Sequence, residues 1–142
     1  MSERIFLEWL PDDPDSPFPP TANALPEPNG LLAAGGDLSP TRLLNAYRQG
    51  IFPWYSEGNP ILWWSPAPRC VLLPAEVHLS RRTRRRFNGG AYRITVNQAF
   101  EDVVQACAAP RPGEPGTWIT AEMATAYQRM YHLGYAHSLE VW

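Results

Sequence analysis

Apolar residues recur along this chain with two different periods, predicting helices interleaved with short strands. Leu43, Leu44 and Tyr47 follow helical spacing behind Ser39 and Pro40, residue types favoured at an N-cap and at the first helical position. With Gly50 just beyond, the spacing predicts a helix over about 40–49. Residues 61–64 (Ile-Leu-Trp-Trp) and 70–73 (Cys-Val-Leu-Leu) are expected as two short strands around the proline corner at 65–68. Residues 92–96 are expected as a further strand. Asn97 then caps a helix whose core face is Phe100, Val103, Val104 and Cys107, at i, i+3, i+4, i+7. Thr120 is placed to cap another helix, with Met123, Tyr127 and Met130 on its buried stripe and Gly134 past its end. The closing segment, 136–142, alternates as a half-buried strand. A strand ending on Trp142 without a following turn or partner leaves an apolar face uncovered, so the chain is expected to stop within a domain.

The first 36 residues differ. They hold seven prolines and little periodicity, which predicts an extended arm with one short apolar piece at 5–10. Asn29-Gly30 and Gly35-Gly36 bracket Leu31, Leu32, Ala33 and Ala34, expected as a short buried turn. The elements together place the fold in the α+β class.

Composition narrows the function classes. An apolar fraction of 44% with 18% charged residues is that of a globular protein, and no apolar run reaches membrane-spanning length. The amino-terminal decapeptide carries an acid within its only apolar stretch and no small-residue cleavage site, so a cytoplasmic location is expected. Cys70 and Cys107, far apart in such a chain, are expected as reduced core thiols. His78, His132 and His137 lie at no zinc-site spacing from one another or from the cysteines, and His137 is expected as a hydrogen-bonded, partly buried strand residue. Phosphate-loop, nucleophile-elbow and dinucleotide signatures are missing.

Charge and aromatic content point to a different chemistry. The net charge is −2, yet all twelve basic residues are arginine, and five of them (Arg81, Arg82, Arg84, Arg85 and Arg86) occupy one hexapeptide. Ser80 can cap a short helix there, ended by Gly89-Gly90. The five guanidiniums fan over about 200° of its surface, leaving Thr83 and Phe87 for the core. Such a local positive field suits phosphate, although a charge run is more often a solvated face. Between Gly50 and Arg69 stand three of the six tryptophans and four prolines. Large rings on a stiff, non-periodic backbone either plug a core or offer flat faces to a nucleobase.

Six motifs, in order, carry a resemblance: Glu-Pro-Asn-Gly-Leu-Leu-Ala at 27–33, Gly-Gly-Asp-Leu-Ser-Pro at 35–40, Leu-Leu-Asn-Ala-Tyr-Arg-Gln-Gly-Ile-Phe-Pro-Trp-Tyr at 43–55, Pro-Ile-Leu-Trp-Trp-Ser-Pro at 60–66, Gly-Thr-Trp-Ile-Thr at 116–120 and Leu-Gly-Tyr-Ala-His-Ser-Leu-Glu-Val-Trp at 133–142. Over nearly all the chain after about residue 17 the sequence resembles the leucyl/phenylalanyl-tRNA–protein transferase family. The resemblance implies a small N-terminal domain with its proline-rich arm, 1–67, then the beginning of an acetyltransferase-like mixed α/β domain, 68–142. It implies an enzyme that moves leucine or phenylalanine from aminoacyl-tRNA to the N-terminal amine of proteins beginning with arginine or lysine, marking them for bacterial N-end degradation. No metal or organic cofactor is implied.

By the same resemblance Trp54 and Trp118, with Tyr47 and Tyr127, surround the aminoacyl-adenosine. Arg81, Arg84 and Arg85, then Arg82 and Arg86, grip phosphates of the tRNA. The bland alternative is that the rings fill a junction between domains, and both tyrosines also lie on apolar helix stripes. The family's amine-handling carboxylate and amide residues are implied to lie past Trp142, so no catalytic base is assigned and Glu140 is expected to be structural. A truncated, non-catalytic fragment that binds the aminoacyl-tRNA 3′ end is the alternative. A generic DNA-binding module is disfavoured, because the basic helix is about two turns long and lacks a preceding helix at helix-turn-helix distance.

Overall fold

A computed structural model describes residues 6–113 and 116–142. Ile5, in the expected apolar piece of the arm, and residues 114 and 115 of the 109–117 loop lie outside the described residues. The elements in chain order are β1 (Glu8–Leu10), β2 (Leu31–Gly35), α1 (Pro40–Arg48), β3 (Phe52–Pro53), β4 (Leu62–Trp64), α2 (Arg81–Asn88), β5 (Ile94–Val96), α3 (Phe100–Ala108), α4 (Ala121–His132) and β6 (Leu139–Val141). Helices and mixed sheets make this an α+β fold.

Four strands form one sheet in the order β1-β2-β4-β3. The proline-rich arm supplies its edge, β1 running parallel to β2 with Trp9 opposite Ala34. β4 pairs antiparallel with both β2 and β3. Residues 31–34 are thus a buried central strand and not the expected turn. Ladders on both sides satisfy their backbone groups, and Ala33 and Ala34 are small enough to lie under a helix. Gly30, at φ +91°, ends the preceding loop where an added Cβ would stand 2.4 Å from Pro66, so neither its conformation nor its space admits a side chain.

The cap of α1 is as its residue types dictate: Ser39 Oγ accepts from the Arg42 N–H at 3.3 Å, with Pro40 at the first position. Leu43 and Ala46 are fully buried beneath it. Arg42 also points inward. Its Nε donates to Asp37 at 3.0 Å, and its terminal nitrogen reaches the carbonyls of Pro11 at 2.7 Å and Asp13 at 2.5 Å, stapling the arm to the helix. Partial burial raises the Asp37 carboxyl, but hydrogen bonds from Ser39 and Arg42 outweigh it and hold the group below its ordinary value.

The second sheet is the antiparallel pair β5–β6, with Thr95 opposite Glu140. α3 and α4 pack together, and Phe100 stacks on Tyr131 at 4.2 Å and 9°. Met123, Ala126 and Met130 of α4 share one core with Leu10, Leu43, Ile51 and the fully buried Trp63. Among the described residues no helix is long and apolar enough to cross a membrane.

Several expectations for the second half are corrected. Every residue from 67 to 94 is exposed, and 70–73 form no strand. Phe87 is 58% exposed, and Thr83, also exposed, serves the Ser80 cap instead of a core. Cys70 and Cys107 are exposed thiols. The strand begins at Ile94, not Tyr92. Asn97 does not cap α3: it sits in the left-handed region at φ 59°, and its side chain accepts from Ser138 N and contacts His137 Nδ1 at 2.9 Å. His137 is exposed and precedes β6.

The N-terminus of α3 is instead served by Glu140, whose carboxylate accepts from Ala99 N at 3.2 Å and from the hydroxyls of Ser138 and Thr95, both at 2.5 Å. These bonds, Ser138 foremost and then Thr95, hold its carboxyl down to about 2. The structural role expected of Glu140 agrees with these contacts. They also set the polarity of β6: its buried face is polar, and Ile94, Val96, Leu139 and Val141 face outward.

Candidate functional site

The four aromatic residues picked from the sequence converge on one place, and each is set by a different local device. Pro53, fully buried in β3, fixes the chain before Trp54. The Trp54 N–H donates to Leu62 O at 2.9 Å, and the Trp64 indole donates to Trp54 O at 2.8 Å. Its backbone is therefore clamped on both sides while its ring stays 55% exposed. Trp118 comes from the loop between α3 and α4. There Thr117 Oγ1 donates to Ala108 O at 3.2 Å, and Thr120 Oγ1 accepts from Met123 N at 3.2 Å to cap α4.

The two indoles lie 6.2 Å apart, centroid to centroid, with 32° between their planes. A planar base sandwiched between rings needs about 7 Å, two van der Waals contacts of about 3.5 Å each. The pair must open by about 1 Å to take one between them, whereas the free face of Trp54 can receive one directly. Behind Trp118, the Tyr127 ring meets it edge-on at 6.1 Å and 85°. The hydroxyls of Tyr127 and Tyr47 pair with each other, joining α4 to α1. Tyr47 is 42% exposed, and partial loss of water around its phenol pushes that group up to about 12.

A cleft of about 1070 Å³ opens between these elements. It is lined by residues 54–57, by Cys107, Ala108 and Arg111, and by 116–121, which lead into α4. Tyr47 and Tyr127 do not line it; they brace Trp118 from behind. The arginines of α2 do not line it either. Arg81, Arg82, Arg84, Arg85 and Arg86 form a separate, wholly exposed basic surface.

Three contributors escaped the sequence reading. Tyr55 is buried behind the cleft wall, where its hydroxyl donates to Glu122 Oε2 at 2.9 Å and meets Thr120 Oγ1 at 3.3 Å. Burial, and the carboxylate it donates to, push its phenol up. Arg111 and Glu57 are the charged residues of the walls. Each stands alone among prolines, glycines and small residues, so no cluster or period marked it; being next to a tryptophan motif was the only signal. Among the described residues no group of three or more His, Cys, Asp or Glu side chains is placed to hold a metal ion.

Comparison with known proteins gives a consistent result. A family model described as leucyl/phenylalanyl-tRNA protein transferase matches residues 71–142, and a model of the N-terminal domain of that transferase matches 36–67. The curated leucyl/phenylalanyl-tRNA–protein transferase of Stutzerimonas stutzeri is 60% identical over 137 residues, covering 96% of this chain and 60% of its own. That of Alkalilimnicola ehrlichii is 57% identical over 137 residues, with 96% and 53% covered. That of Erwinia tasmaniensis is 59% identical over 125 residues, with 88% and 54% covered. The chain thus spans a little over half the length of the curated relatives it matches.

Proposed function

The chain belongs to the leucyl/phenylalanyl-tRNA–protein transferase family, and from that premise we propose that its cleft receives the aminoacylated terminal adenosine of a leucyl- or phenylalanyl-tRNA. The acceptor is the N-terminal amine of a protein beginning with arginine or lysine, and the product enters the bacterial N-end degradation route in the cytoplasm. Residues 1–67 act as the N-terminal domain and 68–142 as the opening of an acetyltransferase-like domain. No metal or organic cofactor is needed in this reading.

The chemistry fits what the residues offer. An aminoacyl ester is already activated: the amine nitrogen attacks the ester carbonyl, an amide forms, and the 3′-oxygen leaves with a proton originating from the amine. Catalysis then rests mainly on holding the reactants together and stabilising the developing oxyanion. The half-exposed Trp54 beside Trp118 at the cleft wall carries the proposal. Indole faces stack on any base, contributing about 1–3 kcal/mol each. The five exposed arginines of α2 then hold backbone phosphates, contacts that carry no sequence preference and suit an enzyme reading an amino acid on a common 3′ end. No residue of the chain is assigned as catalytic base. Titration with 3′-phenylalanylamido-adenosine, whose amide replaces the labile ester, tests the reading: saturable quenching of indole fluorescence is expected, and its absence refutes it.

A second reading is binding without transfer, and the outward apolar face of β5–β6 is the observation that favours it. Leucine transfer from leucyl-tRNA onto an arginine-initiated peptide separates the two. We expect this chain alone to give little or none, and robust transfer removes the second reading.

A further inference from the structure

The cleft has room for an aminoacyl-nucleoside and a group attached to it. At about 1070 Å³ it stands at the upper end of the range, roughly 300–1,000 Å³, of pockets that bury a drug-sized ligand, which is the size class of an aminoacyl-adenosine. Its lining carries a second chemistry. Arg111, on the loop between α3 and α4, lines the cleft, is exposed, and makes no ion pair or side-chain hydrogen bond with the other described residues. A guanidinium is built for phosphate oxygens, which it meets with two parallel N–H donors. The same cleft is also lined by Glu57, three residues past Trp54. That carboxylate repels a phosphate and attracts an ammonium, so the charges of the cleft give a bound aminoacyl-nucleotide one orientation: phosphate toward Arg111, α-ammonium toward Glu57.

We propose that the cleft is a two-nucleotide site in which Arg111 pairs with the phosphodiester joining the terminal adenosine to the nucleotide before it. This rests on the adenosine reading of Trp54 and Trp118 and adds a ligand group and a residue to it. It also separates two basic elements by role. Arg111 acts inside the cleft on the last phosphodiester, and the α2 arginines, which do not line the cleft, act on phosphates elsewhere.

The test compares two stable probes on the 142-residue chain: 3′-phenylalanylamido-adenosine, and the same compound extended at its 5′ oxygen by a cytidylate. The extended probe is expected to bind about 10-fold tighter, the increment of one charge-assisted contact near a solvated surface. Raising salt fourfold is expected to shrink that advantage by about 2.5-fold, the single-strand dependence for one phosphate. In Arg111→Gln the advantage falls to twofold or less while the shorter probe keeps its affinity, which also reports an intact fold. Arg48→Gln, an exposed change on α1, is expected to leave both affinities unchanged. Equal affinities for the two probes in the unmodified chain, or an advantage that survives in Arg111→Gln, overturns the Arg111 assignment and leaves the adenosine reading standing. Failure of both probes to bind overturns both.

Discussion

Replacing Trp54 with alanine separates a binding ring from a packing ring, because the two roles differ in where the free energy is lost. A tryptophan side chain presents roughly 200 Å². At 55% exposure, Trp54 keeps roughly 90 Å² out of water. At about 25 cal/mol per Å² this is about 2 kcal/mol, an upper bound because the unfolded chain is itself partly collapsed. Trp54→Ala is therefore expected to lower stability by no more than about 2 kcal/mol, against about 3–5 kcal/mol for truncating the fully buried Trp63. Binding should suffer as much or more: loss of one stacking face costs about 1–3 kcal/mol, a 5- to 150-fold weakening. Urea unfolding followed by far-ultraviolet circular dichroism measures the first quantity, and titration with 3′-phenylalanylamido-adenosine the second. Trp54→Phe should recover most of the binding. A stability loss matching that of Trp63→Ala, with binding intact in the surviving folded fraction, refutes the assignment and makes Trp54 a packing residue.

Three further outcomes are expected. Arg42→Met should destabilise the fold by about 1–3 kcal/mol in urea unfolding, since it leaves the half-buried Asp37 and two arm carbonyls without their donor; a loss under about 0.5 kcal/mol shows that the arm docks without it. If α2 holds about three to four single-strand-like phosphates, a fourfold rise in salt should weaken RNA binding about 20- to 50-fold, and a salt-independent affinity removes α2 from the interface. The Glu140 carboxyl stands at about 2 in the folded chain against 4.5 for the ordinary group, so it contributes stability that is complete above pH 4.5 and lost as pH falls toward 2. Glu140→Gln should flatten that acid limb in a pH series of melting temperatures, and an unchanged limb assigns it to other carboxylates.

Sequence pattern revealed elements whose ends and buried faces are both local. α1 and α4 each begin at a hydroxyl that accepts the expected backbone N–H, and each buries part of the stripe its spacing marks: Leu43 is buried while Tyr47 is exposed, and Met123 and Met130 are buried with Ala126 deeper than Tyr127. The aromatic site was legible for a related reason: Trp54 and Trp118 sit in distinctive proline, glycine and threonine contexts that fix the backbone under them. What escaped depends on remote partners. Residues 31–34 become a strand because β1 and β4 flank them, which four apolar residues between glycines do not announce. Asn97 looked like a cap, yet the group at the N-terminus of α3 is Glu140, some forty residues away. The apolar residues between 71 and 96 carry the composition of a core, but composition does not say what lies opposite, and among the described residues nothing covers them.

The cleft belongs to neither of the two regions that the family models match separately. Trp54, Tyr55 and Glu57 come from 36–67, whereas Arg111, Trp118 and Thr120 come from 71–142. The regions are held together in two ways: the buried stripe of α4 joins the core of the four-stranded sheet, and the Tyr55–Glu122 and Tyr47–Tyr127 hydroxyl bonds tie down its first turn and its middle. Sliding α4 by one turn, about 5.4 Å, would carry Trp118 nearly a full centroid spacing away from Trp54. The hydrophobic burial of Met123 and Met130 is thus what sets the distance between the indoles, and the site's geometry is a consequence of the core instead of an addition to it.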